Sequence, residues 1–235
     1  MKSSLKNMVV VLFIITTVSA LLVALVNNMT KEAIALSNQQ TKDAAKYKVL
    51  STTSDEAYIL CDTTRLIGDF AINVSTVAQK SDNAIIGYAV EAPSITKSGY
   101  ADRIILMVGF VEDGEDATIN HVEVLSQKET PGLGANMTKP GNSLEQSVVG
   151  KHASTLKFSV TKEGGSFDAL TGSTISSRAY ANAVESAYAG YLWAKGRLET
   201  DKQSDNDTAS GASTTQYDNH TETEPEAQKG EVENE

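Results

Sequence analysis

The sequence predicts an α+β fold, an antiparallel sheet with helices packed to one side, behind a single N-terminal transmembrane helix. Three observations lead there. Residues 8–26 are apolar apart from Thr16, Thr17 and Ser19, with no charged residue between Lys6 and Lys31. Residues 71–125 break into short runs rich in β-branched side chains, the mark of strands. Residues 179–198 place Ala183, Val184, Ala187, Tyr188, Tyr191 and Leu192 on one face of a closing helix. Strands followed by a helix, rather than alternating with helices, give the α+β class.

Taken in order, residues 1–7 form a short cytoplasmic stub. At ~1.5 Å per residue, the ~19 positions of 8–26 rise roughly 28 Å as a helix, close to the ~30 Å hydrocarbon core of a bilayer. A cleaved signal peptide is the competing reading, with Lys2 and Lys6 as its basic region and Val18-Ser19-Ala20 as its cleavage site. The apolar run continues past that site through Val26, longer than a signal peptide needs, and so favours a retained anchor. Lys2 and Lys6 stand against Lys31, Lys42, Lys46 and Lys48, so the charge count does not set the orientation. Large domains translocate largely regardless of charge, and the bulk of the chain is expected outside the cytoplasm. Residues 27–50 carry neither Gly nor Pro and read as a helical stalk.

A folded domain over residues 51–198 follows. Its expected strands are 84–90, 103–111 and 118–125, with Asp113-Gly114 supplying a hairpin turn between the last two. A further strand is expected over 156–160, leading through Gly164-Gly165 to the closing helix. Residues 199–235 hold eleven Asp/Glu and two Lys with almost no large apolar side chains, and are expected to be a disordered acidic tail.

Composition removes several functions. The net charge of −10 lies almost wholly in the tail, and residues 1–198 balance nineteen acids against eighteen bases. No basic stripe for nucleic acid remains. A single cysteine, Cys61, excludes an internal disulfide or an all-cysteine metal site and reads as a half-buried small apolar residue. His121, His152 and His220 show no metal-ligand spacing. There is no Gly-x-Ser-x-Gly elbow and no Gly-Lys-Ser/Thr phosphate loop.

Two segments carry chemistry. Asp168-Ala-Leu-Thr-Gly-Ser-Thr-Ile-Ser-Ser177 packs five hydroxyls into the mouth of the closing helix. Open N–H groups and the positive end of the helix dipole there favour an anion such as a phosphate ester. The plainer alternative is a helix cap by Thr174, Ser176 or Ser177. Residues 129–134, Glu-Thr-Pro-Gly-Leu-Gly, demand a tight turn with exposed backbone. No histidine falls near the hydroxyl cluster to act as its base, so any covalent group would be attached by another enzyme.

Asp168-x-x-Thr-Gly-Ser-Thr174 resembles the flavinylation motif Asp-x-x-(Ser/Thr)-Gly-Ala-Thr of the FMN-binding domain, and residues 129–134 match the companion motif of that domain. With one N-terminal anchor, the chain resembles, over roughly residues 5–198, the G subunits of Rnf (Rsx) ion-translocating electron-transport complexes. The resemblance implies an extracytoplasmic FMN-binding domain over residues 51–198. Its flavin would be covalent, joined through its phosphate to Thr174. Thr171 and Gly172 would form the turn before the acceptor, and a flavin transferase would read Asp168. Glu129, Thr130 and Leu133 would lie against the flavin. Ser173 stands where the family usually has Ala and adds a second hydroxyl beside the acceptor. The implied partners are the other subunits of an Rnf-type complex, which would supply ferredoxin, NAD and ion transport, and the lipid of a bacterial inner membrane. The C subunit of the Na⁺-translocating NADH:quinone reductase shares anchor, motif and cofactor and remains an alternative. A non-redox membrane-anchored scaffold, with the hydroxyls only as a cap, is the other.

Overall fold

The computed structural model describes residues 2–114 and 116–209, with side chains described for 6–114 and 116–196. The chain divides into two units, residues 1–196 and 197–235. The part of the acidic tail from residue 210 onward, with His220, lies outside the described residues.

Helix α1 spans Lys2–Lys48 without a break, as its lack of Gly and Pro allows. Its 47 residues make a rod of about 70 Å. An 18-residue stretch has mean hydropathy 3.0, and none of it is buried by the protein. Thr16 donates its hydroxyl to the Leu12 carbonyl at 3.0 Å, which satisfies this polar group inside an apolar segment. Ser51, at φ 54°, reverses the chain after α1, and Thr52 N–H returns to the Tyr47 carbonyl at 3.1 Å.

Five strands follow: β1 (Ala57–Ile67), β2 (Phe70–Gln79), β3 (Ile85–Pro93), β4 (Ile105–Asp113) and β5 (Asp116–Ser126). They form one antiparallel meander in the order β1-β2-β3-β4-β5. Strands β3–β5 are those expected from the sequence, and Asp113 pairs with Asp116 across the expected turn. The hairpin β1–β2 is additional to the strands expected from the sequence. Its signal was Gly68-Asp69, the two-residue turn between paired Ile67 and Phe70, with Gly68 at φ 59°.

The short α2 (Ser143–Gln146) precedes α3 (Thr174–Ala209). Helix α3 covers one face of the sheet, where register aligns Val74, Val90 and Val108, with Tyr88 beside Phe110. The Tyr191 ring lies 5.2 Å from both Tyr88 and Phe110. Gly190 permits this approach, since a Cβ there would meet Ile72 Cγ2 at 2.6 Å.

Several expectations are corrected. Helices cover both faces, not one: the last turn of α1 and the turn that follows it bury Ala45, Val49 and Leu50 against Ala57, Val77, Ala89 and Met107 on the opposite face. The expected stalk therefore ends in core, because Gly109 lets the helix terminus press onto β4, with the Val49 carbonyl lying where a Cβ would otherwise stand. Residues 156–160 are not a strand. Their backbone is committed locally, Lys157 to Ser166 and Ser159 to Phe167, and only Val160 forms a bridge, to Phe167. Leu192 is exposed, one position round the helix from the buried face. Cys61 is exposed on edge strand β1, where no helix covers it. Helix α3 starts five residues before Ala179 and continues past Leu198 to Ala209.

Candidate functional site

Helix α1 and strand β3 run in opposite directions. Lys42 Nζ meets Glu91 near the end of β3 at 2.5 Å, whereas Leu50 lies beside Gly87 near its start. The apolar part of α1 thus extends beyond the end of the sheet where β3 and β5 finish. Both loops of the site leave from this end: residues 94–104 after β3 and 127–134 after β5. Helix α3 begins there too, with Asn182 accepting the Thr96 N–H at 2.8 Å.

The 127–134 loop folds as its sequence requires. Leu133 N–H closes a turn on the Thr130 carbonyl at 3.1 Å, and Gly132 sits at φ 80°, with Pro131 pre-set before it in type II fashion. A second turn runs from Leu170 to Ser173, closed at 3.1 Å, with Gly172 at φ 71°. Thr171 and Gly172 are the two central residues of this turn. Ser177 locks it by accepting the Leu170 N–H at 3.0 Å and donating to the Ser173 carbonyl at 2.8 Å.

The two turns face each other across a cavity of about 520 Å³ whose walls include Tyr100, Glu129, Thr130, Leu133, Gly134 and residues 172–176. Six of the eight residues singled out in the sequence meet there: Glu129, Thr130, Leu133, Gly172, Ser173 and Thr174. Asp168 and Thr171 do not line it and are exposed. Four wall residues were missed. Ser176 lay in the hydroxyl cluster and Gly134 closed the 129–134 motif, but Tyr100 and Ile175 gave no local signal.

Thr174 is the first residue of α3. Its hydroxyl and the backbone N–H groups of Thr174, Ile175 and Ser176 have no acceptor among the described residues. The first turn is an open donor set of the kind that binds anions. The capping expected of Thr174, Ser176 or Ser177 does not occur, because the helix begins earlier than Ala179. Ser176 instead donates to Glu129 at 2.5 Å.

Glu129 ties the site together. Only 7% exposed, it accepts Ser176 Oγ on one oxygen and the Tyr100 N–H at 2.8 Å on the other. A Cβ on Gly134 would stand 2.8 Å from its carboxylate, so this glycine makes room for it. Outside, Lys128 bridges Asp102 at 2.7 Å. The Lys128 hydrogen bond, helped by the Arg103 N–H, holds the Asp102 carboxyl below its ordinary range and raises the Lys128 ammonium in turn.

Residues 99–189, which hold the whole cavity, match the FMN-binding domain family. Over longer stretches the chain is similar to G subunits of ion-translocating complexes. The G subunit of the Na⁺-translocating ferredoxin:NAD⁺ oxidoreductase complex of Acetobacterium woodii is 30% identical over 181 residues, 74% of this chain and 85% of the relative. The G subunit of the ion-translocating oxidoreductase complex of Methanosarcina acetivorans is 30% identical over 184 residues, 77% and 91%. That of Shewanella baltica is 29% identical over 171 residues, 71% and 79%. With the FMN-binding domain behind one long apolar helix, the chain belongs to the family of G subunits of ion-translocating oxidoreductase complexes.

Proposed function

We propose that this chain is a membrane-anchored flavoprotein subunit that passes electrons within an Rnf-type ion-translocating complex. FMN would lie in the cavity at the mouth of α3, joined to Thr174 through its phosphate. The observation that carries the reading is the Thr174 hydroxyl, unpartnered beside three open N–H groups on the wall of a ligand-sized cavity.

The residues fit the cofactor at both ends. At the phosphate end, the N–H groups and helix dipole offset negative charge. At the ring end, Leu133, Ile175 and Tyr100 are 45%, 49% and 75% exposed, an apolar surface suited to a flat ring. The cavity volume falls within the ~300–1,000 Å³ usual for cofactor sites. The flavin supplies the redox chemistry, while the protein fixes its place and surroundings.

Between the two adjacent hydroxyls of Ser173 and Thr174, burial favours Thr174 as acceptor. Ser173 is 6% exposed with its Oγ buried, whereas Thr174 is half-buried on the cavity wall. The Glu129 carboxylate is already engaged by Ser176 and Tyr100, which supports attachment in trans by a flavin transferase. Asp168 is exposed and outside the cavity wall, where such an enzyme can read it. In this reading α1 is a single-pass anchor in a bacterial inner membrane with the flavin domain outside the cytoplasm. Ferredoxin, NAD and the ion pathway belong to partner subunits.

The test is denaturing electrophoresis of the full chain from cells containing the transferase. A flavin-fluorescent band that is lost in Thr174→Ala is the expected result. A non-fluorescent wild-type band, with no flavin mass on the intact protein, sinks the covalent reading.

A further inference from the structure

We propose that Ser173 is a phosphate-binding residue, donating its hydroxyl proton to an oxygen of the phosphate ester held at the mouth of α3. The inference rests on the flavin reading for the identity of the ester, but its chemistry concerns the phosphate alone.

Ser173 occupies the N-cap of α3, where a serine ordinarily accepts a hydrogen bond from an N–H of the first turn. It makes no such bond here. Its Oγ is buried without a partner, alone in this among the buried side-chain polar atoms of the described residues. The two neighbouring serines show what satisfaction looks like in the same place. Ser176 donates to Glu129, and Ser177 both donates to the Ser173 carbonyl and accepts from Leu170.

A buried hydroxyl left unpaired destabilises a fold, and native proteins seldom keep one without a reason. Ser173 lines the same cavity as Thr174, beside three N–H groups that also lack acceptors. Four donors therefore share one anion-favouring helix mouth. A phosphate oxygen can accept from the hydroxyl while other oxygens accept from the backbone, so one ligand meets all of the unmet groups. An alanine in this place would leave only the backbone donors.

The test uses the full-length chain in detergent, prepared from cells without the transferase and so free of flavin. Thermal unfolding is followed alone and with inorganic phosphate, FMN or riboflavin. In the wild type, phosphate and FMN are expected to raise the midpoint, with any riboflavin effect independent of residue 173. Ser173→Ala is expected to raise the midpoint of the ligand-free protein, because the unmet hydroxyl is gone. The same change should weaken phosphate and FMN by about tenfold or more, as loss of a hydrogen bond to a charged group does. Ser173→Gly, tolerated at an N-cap, provides a second variant with the same loss of phosphate response.

Unchanged phosphate and FMN affinity in both variants overturns the proposal, as does a wild type that responds to neither ligand. A ligand-free midpoint that falls in Ser173→Ala also overturns it, since the hydroxyl would then have a partner within the protein. The flavin reading fails separately, when wild-type protein made with the transferase carries no flavin on Thr174. The phosphate titrations still decide the role of Ser173 in that case.

Discussion

At the scale of single residues the site depends on where side chains are missing. A Cβ on Gly134 would stand 2.5 Å from Ser176 Oγ as well as against Glu129, so Gly134→Ala forces apart the pair that joins the 127–134 loop to α3. We expect a loss of about 1–3 kcal/mol in denaturant unfolding, the usual cost of overpacking, and a lower flavin yield. Gly172→Ala places a side chain at φ 71°, which costs ~1–2 kcal/mol by itself, and brings it to 3.3 Å from Leu133 Cδ2. The Asp102–Lys128 pair gives a pH test with a defined sign. The Asp102 carboxyl is lowered from 3.8 and the Lys128 ammonium raised from 10.5. What Asp102 contributes is thus present above about pH 4 and lost as pH falls through its folded value, whereas Lys128's share is lost only as pH rises past about 10.5. An NMR titration should find Asp102 below 3.8 in the wild type and nearer that value in Lys128→Met. Both groups are exposed, so global stability should hardly change. Six wall residues were legible in the sequence because each lies in a turn or helix-start motif. Tyr100 was not, because its backbone N–H is held at the cavity by Glu129, 29 residues away.

At the scale of elements, the last turns of α1 are part of the domain. A chain beginning at residue 27 should fold and stay soluble, and one beginning at residue 51 should aggregate, as size-exclusion chromatography would show. The second cut removes Val49 and Leu50, each worth about 1.5–3 kcal/mol when fully buried, and exposes Val77, Ala89 and Met107. On the other face, Phe110→Ala should cost about 3–5 kcal/mol, because its ring is fully buried and stacks on Tyr191 at 5.2 Å. The strands β3–β5 could be read from their alternation and from Asp113-Gly114. The amphipathic end of α1 could not, since its apolar residues find a partner only once the sheet exists.

At the scale of the molecule, position along α1 sets the height of the site. The helix between Val26 and Lys42 rises roughly 24 Å, and the cavity lies at the end of the sheet nearest the apolar segment. Inserting seven residues between Lys31 and Ser37 would lift the domain by about 11 Å while nearly keeping its helical face. We expect unchanged flavin content but a marked loss of electron transfer in the assembled complex. Full retention of activity would show that the height of the site does not matter.

The amino-acid sequence by itself determined the long apolar helix, the strands β3–β5, the charge-balanced domain with its acidic tail, and the two motifs that bound the site. Each is written in neighbouring residues, through periodicity, turn chemistry or composition. Tertiary structure decided which face α1 covers, which end of the sheet holds the cavity, and why Thr174 is open while Ser173 is closed. Those outcomes depend on contacts between segments far apart in the chain, such as Glu129 with Ser176 and Lys42 with Glu91. Local sequence specifies the partners, and only packing brings them together.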